Sequence, residues 1–238
     1  MNVENFVEKT DTSAEETIEN MIVECIYNAV MEQRLAPKTK LSEASLCRTF
    51  DVGRMHVRRA LLLLSSHGII DLHSNKGAYI ACPDKAQSNE VFDARMLIEP
   101  PLVRQLAERA TSKELKILAD HIDLEDAARA GQNRSELIRL SGEFHTKLAE
   151  AGQNSLIVKM MRELVTKTSL IVGLFGRPRS TSCPDDEHSK ILKAIQSGNA
   201  IVAESLVKEH LHHIRESLNM EIVTQPANDL EKILRGEA

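Results

Sequence analysis

The stretch "LSEASLCRTFDVGRMHVRRALLLLSSHG", residues 41–68, decides the fold. Its first ten residues read as a short helix with Leu41 and Leu46 inward, and "DVG" reads as a turn. A second helix then carries Val57, Ala60, Leu61 and Leu64 on one face. Gly68 supplies the stop. Upstream, Ser13 and Glu16 form a capping box for a helix whose apolar positions Ile18, Met21, Ile22, Cys25, Ile26, Ala29 and Val30 keep helical spacing, with Pro37 beyond its end. Downstream, Ile69–Leu72 and Ala78–Ala81 are β-type runs flanking the turn "HSNKG". Helix, helix, turn, helix and hairpin in succession predict a winged helix-turn-helix.

The remainder reads differently. Hydrophobic residues are 42% of the 238 and aromatic ones only 3%, with no Trp, so the core is aliphatic. Beyond "CPDKAQSN", residues 82–89, the pattern is helical, with helices expected near 88–99, 101–110, 112–130, 134–151, 155–175, 185–197 and 200–222. Pro100-Pro101 is expected to separate the first two, because proline removes a helix donor. Asn133, Asn154 and Asn199 are placed to cap the helices that follow them.

The expected fold is therefore mainly α, an N-terminal winged helix-turn-helix joined to an all-α C-terminal bundle. The division is a flexible N-terminus (1–12), the winged module (13–82), a linker (83–89), a helical domain for effector binding and dimerisation (90–223) and a tail (224–238).

Charge is distributed unevenly between these parts. The net value is −5, yet residues 34–82 carry eight Lys or Arg against Glu43, Asp51 and Asp71, a local surplus of five. On a recognition helix beginning at Gly53 or Arg54, the side chains Arg54, Met55, His56, Arg58 and Arg59 meet phosphates and base edges, and Lys76-Gly77 at the wing touches the backbone or minor groove. A solvated basic helix face would show the same residues. The four cysteines show no CxxC pairing and read as reduced thiols. Among them, Cys183 is a candidate redox sensor or substitute ligand. No stretch approaches the roughly 20 apolar residues of a membrane span, so a soluble, cytoplasmic protein without a membrane partner is expected.

The residues from Met31 to Ile80 resemble the DNA-binding domain of the GntR family of bacterial transcription regulators. Pro37, Leu41, Glu43, Leu46, Val52, Arg54, Val57, Arg58, Ala60, Leu61, Leu64, Gly68, Gly77 and Ala78 fall on its pattern without gaps. Gly53, His56 and Arg59 stand where Ser, Pro and Glu are usual. The later segments "FDARMLIEPPLVRQLAERA", "LSGEFHTKLAEAGQNSLI" and "EHSKILKAIQSGNAIVAESLVKEHLHHI" are similar to the all-helical FCD effector domain of the FadR-like branch.

That resemblance implies a homodimer that reads a palindromic double-stranded DNA operator, most often as a repressor, and answers to a small, carboxylate-bearing metabolite. Many members of the branch hold a divalent metal, such as Zn or Ni, through an Asp and three His residues. The histidines correspond to His145, His188 and His210, while Ser141 stands in the place of the Asp. Helical geometry by itself sets His145 beside Leu148, His188 beside Ile191 and His210 beside Ile214, all facing inward. A core role for the histidines and a metal-free cavity binding an anionic effector are the alternatives.

Arg95, Ser141 and His213 are candidate effector contacts, with an Arg95–Glu99 salt bridge as the competing role for Arg95. The chain is read as a regulator and not an enzyme. A metal-dependent enzyme acting on a small acid through the three histidines, or a helical scaffold without a ligand, would be the other classes; no inward general base is evident near the histidines.

Overall fold

The computed structural model describes residues 18–74, 76–177, 186–221 and 229–236, and divides into two compact units. The expected cap at Ser13, and Cys183, lie outside the described residues.

One unit comprises residues 1–81 together with 224–238. Helix α1 (Ile18–Met31) packs on α3 (Arg54–Ser66), which packs in turn on α2 (Glu43–Phe50). Ile22, Ile26, Val30, Leu46, Val57 and Leu64 are all removed from solvent between them. Ser42 caps α2 by accepting from the Ser45 amide, and Asp51 closes it in the left-handed region, φ 53°. Gly53 precedes α3 with no side-chain cap, so only its carbonyl, accepting from the His56 amide at 3.2 Å, serves the first turn.

Gly68, at φ 70°, turns the chain from α3 into the wing. There β2 (Ile70–His73) and β3 (Gly77–Ile80) pair antiparallel, with Ile70 opposite Ile80. A strand missing from the sequence expectation, β1 (Lys40–Leu41), pairs with the free edge of β3 through Leu41 and Ala78 and completes a sheet of order β1-β3-β2. Leu41 is buried as foreseen, but on a strand rather than on α2. Two residues show no periodicity by which a strand could be recognised.

The second unit, residues 82–223, is built of α4 (Lys85–Arg109), α5 (Ser112–Ala130), α6 (Arg134–Ala151), α7 (Ser155–Phe175), α8 (Glu187–Gln196) and α9 (Ala200–Ser217). Asn133, Asn154 and Asn199 cap α6, α7 and α9 as expected, each side-chain oxygen accepting from the first turn. The main core joins Val103, Leu106, Phe144, Leu148, Ile191 and Leu211 from α4, α6, α8 and α9.

Three expectations are corrected here. First, the expected linker 83–89 is largely helical, because Asp84 and Gln87 form a reciprocal capping box that starts α4 at Lys85. Second, Pro100 and Pro101 do not end a helix; both lie inside α4. An interior proline costs about 3 kcal/mol, and the flanking buried residues Phe92, Arg95, Leu102, Val103 and Leu106 hold the segment in place against α9, α7, α6 and α8. Third, the expected tail contains a short helix, α10 (Leu230–Arg235), which packs on α2 and α1 in the first unit.

Candidate functional site

Two assemblies of side chains stand out, one in each unit. On the winged unit, Arg54, Met55, Arg58 and Arg59 are exposed on the first turns of α3, and Lys76 and Gly77 are exposed at the wing. The uncapped amides and these cations form an anion-attracting end. Arg58 Nε donates to both oxygens of Glu43 at 3.1 and 3.2 Å. His56 Nδ1 lies 3.0 Å, and Arg59 Nη1 3.5 Å, from one oxygen of Glu19 on α1. Two of the unusual residues of this helix therefore share a single acidic partner, which no local pattern announced.

Exposed ion pairs of this kind contribute about 0–1 kcal/mol, whereas a bidentate arginine contact to a guanine discriminates by about 1–3 kcal/mol. The carboxylates thus orient the arginines through contacts weak enough to exchange for another anionic partner. Lys40 Nζ lies 6.0 Å from the ring centre of Tyr79 and adds a cation beside the wing that sequence reading did not single out.

In the helical unit the three histidines come together. His145 on α6, His188 on α8 and His210 on α9 are all buried, with His210 Nε2 lying 3.0 Å from His145 Nε2 and 3.2 Å from His188 Nε2. The opposite nitrogen of each ring meets a carboxylate: His145 Nδ1 to Glu99 at 2.6 Å, His188 Nδ1 to Glu125 at 2.7 Å and His210 Nδ1 to Glu187 at 2.7 Å. At His188 and His210 the contact is a hydrogen bond that directs Nε2 inward, while the Glu99 carboxylate stands beside His145 Nδ1 outside hydrogen-bond geometry. Burial pushes the His145 and His188 imidazoles well below their ordinary range, so both are neutral ligand forms.

Three converging lone pairs without a shared cation repel. Ligand atoms about 2.0–2.1 Å from one zinc ion stand about 2.9–3.4 Å apart at angles between octahedral and tetrahedral, which brackets the observed spacings. The residues fit a divalent metal.

The acidic partners correct the expectation that no inward general base stands near the histidines. From the sequence, Glu99 reads only as a partner of Arg95, Glu187 is the residue before His188, and Glu125 carries no signal at all. Burial would raise the Glu99 carboxyl, but the charge of Arg95 and the contact with His145 outweigh it and hold Glu99 well below the usual carboxylate range. Burial pushes Glu125 up to about 7, against the opposing charges of His121 and Arg129.

Arg95 is buried with both Glu99 oxygens in reach of its guanidinium, so it acts through Glu99 on the orientation of His145. His213, expected to face inward, is instead half-exposed and donates Nδ1 to Glu187 from outside. Its place three residues after His210 carries it beyond the edge of the buried stripe.

The cluster opens on a cavity of about 410 Å³, part of it continuous with solvent. Arg95, Ser141, Thr168 and Ser169 join the histidines around it, with Ile138, Val172 and Ile214 as apolar walls. A few polar groups among apolar walls are the kind of lining that a small ligand uses. Ser141 Oγ is buried there without a hydrogen-bond partner, an orphaned oxygen one turn from His145. Glu143 is directed away, paired with Arg139 and Lys147.

Gly142 shapes the same wall: a Cβ there would lie 2.7 Å from Ser169 Oγ and 2.9 Å from Val165 Cγ1. Gly142→Ala is therefore expected to cost about 1–3 kcal/mol through overpacking, more than the roughly 1 kcal/mol that alanine gains in helix propensity. A melting temperature equal to or above that of the unaltered protein would contradict this close approach.

The FCD domain family matches residues 90–213, and the family of bacterial regulatory proteins termed gntR matches residues 18–80. The HTH-type transcriptional regulator LutR of Bacillus subtilis (strain 168) is 26% identical over 207 residues, covering 78% of this chain and 94% of the relative. The HTH-type transcriptional repressor RspR of Escherichia coli (strain K12) is 22% identical over 211 residues, covering 88% and 92%. A transcriptional regulator GntR from Rhodococcus sp. RHA1 shares the fold with a TM-score of 0.70 at 22% identity, over 83% of this chain and 95% of that one.

Proposed function

The chain belongs to the GntR family of bacterial regulatory proteins and carries an FCD domain; on that premise we propose that it is a dimeric, cytoplasmic repressor whose grip on a palindromic operator is controlled by a metal-assisted carboxylate metabolite. It is a transcription regulator with a winged DNA-binding domain, which sets aside the reading as a metal-dependent enzyme. No described helix is long and apolar enough to cross a membrane.

The observation that carries the control half of the proposal is the convergence of three Nε2 atoms at 3.0 and 3.2 Å, each ring backed by its own carboxylate. His145, His188 and His210 would hold the ion, and Ser141 borders the same space. A bound divalent ion supplies a positive centre that attracts an anion. Glu99, Glu125 and Glu187 stand on the Nδ1 side of the rings, away from the converging Nε2 atoms, which leaves a carboxylate of the metabolite as the anionic partner. Arg95, Thr168 and Ser169 border the space in which it would lie. Such a ligand shifts operator affinity only as far as it binds the two states of the protein differently.

The test is to select bound sequences from a random double-stranded library, then measure operator affinity with zinc or nickel, alone and beside a panel of small carboxylates. Two chains per operator and a change in affinity on addition of metal with one acid are expected. An affinity indifferent to every combination would defeat the control mechanism, and one chain per operator would defeat the dimer. For Arg54→Ala, a loss of about 1–3 kcal/mol in operator affinity, about 5- to 150-fold, is expected, with relaxed preference at one base position. Equal affinity in the variant would remove Arg54 from the reading surface.

A further inference from the structure

Helix α10 spans six residues, far fewer than the roughly 12–15 that an isolated helix needs in water. It forms here on a prepared seat. The Leu234 side chain is buried, and besides the Gly236 amide that closes the helix, side chains of α1 and of the turn after it reach its last carbonyls. Arg34 Nη1 donates to Ile233 O at 2.6 Å, and Cys25 Sγ lies 3.5 Å from Leu234 O. Arg48 on α2 holds the Glu231 carboxylate through Nε at 3.0 Å and Nη2 at 2.6 Å, while Arg235 returns a contact to the Arg48 carbonyl at 3.4 Å. Both ends of α10 and its apolar side are thus engaged, and Gly236 closes it at φ 72°.

The chain accordingly passes between the two units twice, once after Ala81 and again after Val223. The second passage begins from α9, the helix that carries His210, and the Asn219 amide anchors its exit on Phe175 O of α7 at 2.9 Å.

We propose that the surface formed by Cys25, Arg34 and Arg48 on the winged unit is a docking site for the chain's own C-terminal helix. Through this latch, occupancy of the histidine site alters operator binding. The inference rests on the control mechanism proposed above and adds its route: α9, then α10, then α1 and α2.

Cys25 reports the docked state. Burial pushes its thiol up, which lowers the thiolate fraction that alkylation needs, and Leu234 O lies 3.5 Å from its Sγ. In the full-length protein, Leu234→Asp places a charge in the seat and is expected to raise the rate of Cys25 alkylation, read by peptide mass spectrometry, by about tenfold or more. Metal binding is expected to persist, and the change in operator affinity caused by zinc with the effective carboxylate is expected to vanish.

Glu231→Arg supplies a second variant free of any change in the apolar seat; its combination with Arg48→Glu is expected to restore both Cys25 protection and the response. Unchanged Cys25 alkylation in both single variants would overturn the docking. Exposed Cys25 with an intact response would overturn the latch while leaving the control mechanism standing. A wild-type protein whose operator affinity ignores metal and acids overturns both.

Discussion

Metal-stripped protein is expected to melt roughly 5–10 °C higher once zinc or nickel is present at about a hundred times its dissociation constant, and His188→Ala is expected to erase that rise. The magnitude follows from linkage, since a ligand at that excess stabilises the folded state by about 2.7 kcal/mol and each kcal/mol moves the transition of a chain this size by about 2–4 °C. His188 is the informative position because its ring is fixed on both sides, with Nδ1 on Glu125 and its face stacked 4.1 Å from Phe144. Its loss therefore removes a held donor and not a mobile one. A rise of the same size in the variant would refute coordination by the three histidines. A rise produced by one organic acid alone, with no metal effect, would instead make the cavity beside Ser141 a direct anion site.

Arg95→Met is expected to cost about 3–5 kcal/mol, seen without metal as a fall in melting temperature of roughly 6–20 °C. Arg95 and Glu99 are both only 1% exposed, so removing the guanidinium leaves a buried carboxylate with His145 Nδ1 2.6 Å away. Glu99→Gln in the same chain is expected to recover much of the loss, because the uncompensated buried charge is gone. A single variant that loses less than about 1 kcal/mol would show that Arg95 is not what holds Glu99 ionised.

The parts of this molecule legible in the sequence are those whose signals are local. Asn133 and Asn154 marked the starts of α6 and α7 because a side-chain cap acts within one turn. The inward faces of His145, His188 and His210 followed from helical spacing. What depended on distant partners stayed hidden. Glu125 meets His188 from 63 residues away, and a lone Glu on a helix has the appearance of a solvated one. The Pro100-Pro101 pair misled because the packing around α4 outweighs a local breaker. Strand β1 was hidden by its length, and α10 by having too few residues to show a period.

The prolines of α4 have a mechanical corollary. Lacking two consecutive N–H groups, the helix is missing two successive rungs, and the carbonyls of Met96 and Leu97 have no donor four residues ahead. Bending stiffness is lowest where rungs are missing. The weak joint falls beside Glu99, the residue that grips His145, so a pull on that imidazole loads α4 at the point where it yields most readily.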